Sequence, residues 1–256
     1  MKKIYDNDNI KLFFGDSFSY MNALPDESID VIVADPPYFL SNDGFSNSGG
    51  KLVSVNKGSW DKDDGNKEEF YQCFLNQAKR VLKKNGTMWI FGTLHNIYLL
   101  GYMLEKFGFK ILNNITWRKT NPPPNLSCRM FTHSTETILW VKKNEGKQLF
   151  NYEEMRKRNG NRQMKDVWST SVTSKSEKRF GKHPTQKPLA LIERILSASV
   201  CKTSIILDPF VGSGTTAVVA RKLGVRMIGI DNNYDYINIA KQRVDNYKTE
   251  KMGKIE

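Results

Sequence analysis

Apolar and polar positions along the first half of the chain switch repeatedly between a period of two and a helical period. Residues 10–14 are a short apolar run that ends in Gly15-Asp16, and 29–34 (Ile-Asp-Val-Ile-Val-Ala) are a β-branched run. Both read as strands. The second run stops at Asp35-Pro36-Pro37, because two prolines cannot continue a central strand. Residues 39–65 are rich in Gly, Ser, Asn and Asp and read as a long loop, a length that inside a compact domain is functional or mobile. Phe70, Phe74, Leu75, Ala78, Val81 and Leu82 follow helical spacing and predict a helix over 67–84, closed by Asn85-Gly86. A strand over 87–91, a helix through Leu99 and Met103 to Gly108, and a strand over 109–117 come next.

The pattern breaks at Thr120-Asn121-Pro122-Pro123-Pro124-Asn125. One strand follows over 135–141, and 149–181 reads as an insertion with weak secondary structure. The alternation then resumes: a helix over 189–200, a strand over 204–207, a glycine-rich turn over 208–216, a helix over 215–223, a strand over 225–230 and a helix over 234–247. This order predicts an α/β fold with a mostly parallel sheet and helices on both faces. We divide the chain into a first part, 1–120, a middle region, 121–182, and a returning part, 183–256, that completes the first domain.

Composition narrows the class. With 39% hydrophobic and 26% charged residues among 256, the chain is ordinary for a globular protein. No apolar run approaches the ~20 residues that cross a bilayer, and the start has no signal-peptide pattern, so a cytoplasmic protein without membrane contact is expected. Cys73, Cys128 and Cys201 form no CxxC pair, and His95, His133 and His183 are scattered, so no metal site is expected. Charge is more informative, since the formal net charge is +12. Between Lys142 and Lys187 thirteen basic residues face five acidic ones, so this stretch supplies most of the excess. That is the footprint of a polyanion binder.

Two motifs carry chemistry. The segment 205–216 (Ile-Ile-Leu-Asp-Pro-Phe-Val-Gly-Ser-Gly-Thr-Thr) is a strand, a tight turn and a helix start, in which Gly212 and Gly214 let a ligand approach the backbone. Asp231 ends the next strand, 23 residues after Asp208, near the ~20-residue offset at which an acid meets ribose hydroxyls. An adenosine-type ligand across the two strand ends is implied. Its identity stays open on these residues, because the turn also matches the G-x-G-x-x-A pattern of an NAD-dependent oxidoreductase. The other motif, Asp35-Pro36-Pro37-Tyr38, sits at the carboxyl end of a strand, where open α/β sheets place their ligands. Hydrogen bonds from an exocyclic amine to the Asp35 carboxylate and the Pro36 carbonyl would localise the amine's lone pair. The prolines preorganise those acceptors, and Tyr38 would stack on the base.

Together with His183-Pro184-Thr185-Gln186-Lys187-Pro188, these motifs make the chain resemble a β-class DNA adenine-N6 methyltransferase over nearly its whole length. The stretches 38–42 (Tyr-Phe-Leu-Ser-Asn) and 121–127 (Asn-Pro-Pro-Pro-Asn-Leu-Ser) look closest to the second methyltransferase of GATC-specific Dpn-type restriction systems. The resemblance implies a Rossmann-like sheet of seven strands, circularly permuted, with 121–182 as a small target-recognition insertion. It implies S-adenosyl-L-methionine as cofactor. Asp16, Asp35, Lys187, Asp208, Phe210, Gly212, Gly214, Thr215, Thr216 and Asp231 would bind it, with Asp231 on the ribose and Lys187 at the carboxylate end. The implied substrate is DNA, duplex and also single-stranded, methylated on adenine N6 within GATC. A homodimer is implied too, as is a cognate restriction endonuclease in the same system without stable binding. Methylation of another adenine site, of cytosine N4 or of RNA adenine is the nearer alternative. DNA contacts are expected from Lys57 and Trp60 in the long loop and from Arg118, Lys119, Asn121, Asn125, Arg129 and His133 around the proline break. Arg156, Arg158 and Arg162 of the basic stretch complete the set.

Overall fold

In the computed structural model, residues 1–7, 9–39, 67–125 and 127–247 are described in full, and 45–48 and 51–54 as backbone. The strands are β1 (Lys2–Asp6), β2 (Ile10–Phe14), β3 (Ile29–Ala34), β4 (Phe45–Ser48), β5 (Lys51–Ser54), β6 (Leu82–Gly92), β7 (Phe109–Lys119), β8 (Thr135–Lys143), β9 (Val167–Thr170), β10 (Ile205–Asp208) and β11 (Arg226–Asp231). The α-helices are α1 (Ser17–Ala23), α2 (Lys67–Val81), α3 (Ile97–Lys106), α4 (Tyr152–Arg158), α5 (Leu189–Ser199), α6 (Thr215–Leu223) and α7 (Tyr234–Asp245).

Nine strands form one sheet in the order β1-β2-β11-β10-β3-β6-β8-β7-β9. Its inner seven, from β2 to β7, are the expected seven-stranded arrangement, and β1 and β9 extend its edges. From β2 to β6 the pairs are parallel, while β8 runs antiparallel to both β6 and β7. The central strands are buried on both faces, which is why β3 and β6 read as continuous apolar runs rather than as alternation. Side chains alternate across the sheet with period two. Val31, Val33, Trp89 and Phe91 face a core shared with α5, α6 and α7. Ile29, Ile32, Met88 and Ile90 face the other, with α1, α2 and α3.

The last third of the chain returns to the middle of the sheet, so β10 lies beside β3, with Leu207 opposite Ile32. From β3 the chain passes through α2 on one face, and from β10 through α6 on the other. The carboxyl ends of these neighbouring strands therefore flank a topological switch point, the place where open α/β sheets bind ligands. Asp35 and Asp208 stand there.

Three expectations change. Within the stretch read as a loop, β4 and β5 pair as an antiparallel hairpin, Phe45 opposite Ser54. The stretch 149–181 is better ordered than its polar composition suggested: it holds α4, β9 and a 3₁₀ turn at Ser176–Lys178. The third concerns how 121–182, read as an insertion, attaches to the sheet. β8 lies inside the sheet, β9 pairs with the end of β7, and Met155 and Trp168 are buried in the main core. The described residues of the connection from β7 to β8 are mostly exposed.

Candidate active site

Asp35 follows the last residue of β3 and is the hub of a buried ion network. Its Oδ1 accepts a hydrogen bond from the Tyr38 hydroxyl. Its Oδ2 meets Lys187 Nζ at 2.6 Å. Lys187 also donates to the Tyr38 oxygen at 3.2 Å and lies 3.6 Å from Glu136 Oε2, an ion pair beyond hydrogen-bond reach. Glu136 Oε1 is held by Lys119 at 2.6 Å. Burial works against the Lys187 ammonium, but Asp35 and Glu136 outweigh it and hold its pKa above the ordinary value. Burial likewise pushes Glu136 up, and Lys187 with Lys119 more than reverses this. The buried Tyr38 phenol, next to Asp35 and Glu136, is raised well above its usual range, so it remains a donor. Behind the motif, Tyr71 donates to the Pro37 carbonyl at 2.9 Å and receives the Asn96 amide at 3.0 Å. These bonds fix the proline backbone from α2 and α3.

A cleft opens from Asp35 across the strand ends, lined among others by Asp16, Phe18, Phe70, Phe210, Asp231 and Tyr236. The glycine turn forms its floor. Gly212 has φ +50°, and a Cβ there would stand 3.0 Å from His183 Nε2. From α7, buried Arg243 donates to the Ser213 carbonyl at 2.7 Å and to Thr215 Oγ1 at 3.0 Å, fixing the turn from below. Asp231 accepts from Gly212 N and Asn233 N, both at 2.8 Å, which leaves carboxylate lone pairs for ligand hydroxyls. Burial pushes the Asp231 carboxyl up to about 6 and that of Asp208 up to about 7. Burial also lowers His183 to about 3, helped by Lys187, so this imidazole is neutral at working pH. Aromatic walls, a side-chain-free turn and three carboxylates fit an adenosine that carries a cationic chain.

The structure gives several of the expected residues other tasks. Tyr38 is 5% exposed and points its hydroxyl at Asp35, so in this arrangement it positions the carboxylate rather than offering a stacking face. Lys187 is 7% exposed and is engaged by carboxylates of the chain itself, so it does not stand free for a ligand's carboxylate. Thr215 and Thr216 are buried, and Thr215 bonds the Lys187 carbonyl at 3.0 Å, a contact inside the fold. Asp16 lines the cleft and also caps α1 through Ser19 N at 2.7 Å. Phe210, Gly212, Asp208 and Asp231 come together as expected.

The expected DNA contacts divide in the same way. Lys119 is taken by Glu136 and belongs to the ion network. Asn125 is a turn residue: its amide donates to the Met130 carbonyl at 2.7 Å, and its Oδ1 accepts from Ser127 N at 3.0 Å. Asn121 Oδ1 accepts from Val172 N at 2.9 Å. Arg156 pairs with Glu153 of its own helix α4 at 3.3 Å, and Arg158 with Glu154 of α4 at 2.7 Å and Glu193 of α5 at 3.4 Å. Arg118, on the outermost part of β7, is bonded to Ser169 at 3.1 Å. Arg129, His133 and Arg162 are exposed, and Lys57 and Trp60 lie outside the described residues. The sequence reading missed Glu136 and Arg243. Glu136 was signalled, because it shares a strand face with the apolar Ile138 and Trp140, where a carboxylate must be paired.

Fold and site together define a doubly wound α/β protein with an aspartate-proline-proline-tyrosine centre at its switch point. The chain belongs to the N6/N4 methyltransferase family, described as DNA methylase, which it matches over residues 29–242. It is 57% identical over 248 residues to the type II methyltransferases M2.LlaDCHI of Lactococcus lactis subsp. cremoris and M2.DpnII of Streptococcus pneumoniae, matches that cover 95% of this chain and 92% of each relative. Among solved structures, M1.HpyAVI in complex with SAM superposes with a TM-score of 0.69 at 28% identity, covering 92% of this chain and 99% of that one.

Proposed function

We propose that the protein transfers a methyl group from S-adenosyl-L-methionine to adenine N6 within GATC, in duplex and single-stranded DNA, as the modifying arm of a type II restriction system. The single observation that carries the chemistry is the Asp35 carboxylate at the switch point, fixed between Tyr38 and Lys187 beside a cleft suited to an adenosine. The likeness to M2.DpnII and M2.LlaDCHI supports the restriction-system reading. In keeping with that role we assign a cytoplasmic location, a homodimer, and a cognate endonuclease that is not stably bound.

Bound S-adenosyl-L-methionine supplies an electrophilic methyl group on a sulfonium. Asp231 would hold its ribose, Phe18 and Phe210 its adenine, and Asp35 with Asp208 the cationic end. The remaining work belongs to the chain. Asp35 and the Pro36 carbonyl accept the two N6–H bonds and draw the nitrogen toward tetrahedral geometry, so that its lone pair is localised. The surplus amine proton then passes to an Asp35 oxygen and on to water. Lys187 and Tyr38 hold that carboxylate in place throughout. The base must leave the duplex first, at a cost of a few kcal/mol.

The test is tritiated methyl transfer to defined oligonucleotides. N6-methyladenine confined to GATC is expected, in both duplex and single-stranded substrates. Label on cytosine N4, or on adenines regardless of sequence, would overturn the assignment.

Cofactor affinity should also depend on pH. A sulfonium is attracted by ionised carboxylates, and Asp208 and Asp231 ionise only above about 7 and about 6. Affinity therefore rises with pH and levels off once both are charged. Calorimetric titration should show roughly tenfold tighter binding at about pH 8 than at about pH 5.5, with proton release near neutrality. His183, at about 3, takes no part in this range. A flat profile would remove these carboxylates from cofactor binding.

A further inference from the structure

The connection between β7 and β8 carries an apolar pair that neither core uses. Phe131 is 96% exposed and Met130 62%. The loop that presents them is braced. At its base, Lys119 N donates to the Ser134 carbonyl at 2.8 Å and Thr120 N to the Thr170 carbonyl at 3.0 Å. Within it, the Asn125 side chain grips the Met130 carbonyl at 2.7 Å. Phe131 and Met130, adjacent and both exposed on a turn held by these hydrogen bonds, present an apolar contact surface.

Charge and position say which partner. Residues 118–135 contain Arg118, Lys119 and Arg129, and no Asp or Glu, so the apolar tip sits in a cationic frame suited to a polyanion. The base of the loop is also the rim of the active site: Lys119 leads through Glu136 and Lys187 to Asp35. Phe131 is three residues from Ser134, so its Cα lies within about 11 Å of that base. A duplex from which one base has been extruded is left with an unstacked gap, and Phe or Met side chains are suited to wedging between base steps.

We propose that Phe131, backed by Met130, enters the duplex at the position vacated by the target adenine, while Arg118 and Arg129 contact the flanking phosphates. The inference rests on the DNA-methylation reading above. It makes a distinction that reading does not: the wedge matters for duplex DNA and is idle on a single strand, where there is no stack to fill.

The experiment compares the full chain with Phe131→Ala and Phe131→Leu, using tritiated transfer to one GATC strand offered single or annealed. Phe131→Ala should slow duplex methylation about five- to 150-fold, the value of one lost base-stacking contact, and leave the single strand within twofold. Phe131→Leu should recover most of the duplex rate. With 2-aminopurine at the target position, the fluorescence rise on binding duplex should shrink in Phe131→Ala. Equal loss on both substrates, or none on duplex, overturns the wedge. Sedimentation showing that Phe131→Ala breaks a dimer with equal loss on both would reassign the residue to a contact between copies. If the wild-type chain labels neither substrate, the methylation reading itself has failed.

Discussion

Asp35→Ala should abolish methyl transfer, by at least about 10²–10³-fold in kcat, while S-adenosyl-L-methionine binding falls only a few-fold. The Asp35 carboxylate follows β3 at the switch point, and its internal donors are side chains, the Tyr38 hydroxyl and the Lys187 ammonium, which leaves further lone pairs for an amine. Asp208 and Asp231, by contrast, already accept main-chain N–H groups, Asp208 from Phe210 and Asp231 from Gly212 and Asn233. The substitution leaves the buried Lys187 ammonium with Glu136 at 3.6 Å as its carboxylate partner and the Tyr38 oxygen at 3.2 Å as an acceptor. That limits the loss of stability to below the ~3–5 kcal/mol typical of stranding a buried charge outright. Folding and cofactor binding are followed by circular dichroism and calorimetry, and transfer by tritium incorporation. Transfer that survives the change would show that another group activates the amine.

The second large effect concerns folding rather than chemistry. Gly214→Val should lower stability by about 3 kcal/mol or more, which for a chain of this size is about 6–12 °C in Tm. Gly214 has φ +79°, a conformation L side chains rarely adopt. A Cβ there would stand 2.6 Å from the Cβ and 2.8 Å from the Cα of Ala240 on α7. Main chain cannot swing aside, so α7 must shift and carry Arg243 away from the turn. Gly160 is the comparison: its φ is +63° and its surroundings are open, so Gly160→Ala should show backbone strain only. Differential scanning calorimetry separates the two, and equal Tm values would mean that the turn and α7 are not in contact.

The parts of this architecture that could be read in the sequence are those governed by local rules. The β-branched run into Asp35-Pro36-Pro37, the helical spacing of Phe70 to Leu82 and the glycine turn each declare themselves within a dozen residues. The active-site network does not, because Lys187 and Asp35 are 152 residues apart and meet through the return of β10 to the centre of the sheet. Tyr38 shows the same limit. An aromatic beside a catalytic turn suggests stacking, yet the hydroxyl is drawn inward by a carboxylate and an ammonium that only the tertiary fold brings near. Edge strands were missed for another reason. Val167-Trp168-Ser169-Thr170 is too short and polar to be convincing alone, and it exists as a strand because β7 offers it hydrogen bonds. The ion pairs of Arg156 and Arg158 with glutamates of α4 and α5 could likewise not be read from composition, which records charge without its neighbours.

The stacked indoles of Trp89 and Trp140, 4.8 Å apart, with Trp168 at 6.0 Å from the first, bear on how such an enzyme can acquire a new target over evolutionary time. Transplanting 121–182 between relatives would remove two of these three rings from a shared core, so this stretch is not an independently exchangeable module. The connection 120–134 is different, because the Lys119–Ser134 hydrogen bond closes it at the base. Doubling the length of such a loop costs only about 0.6 kcal/mol. On the proposal that this connection meets DNA, changes of length there would leave the catalytic sheet beneath it undisturbed.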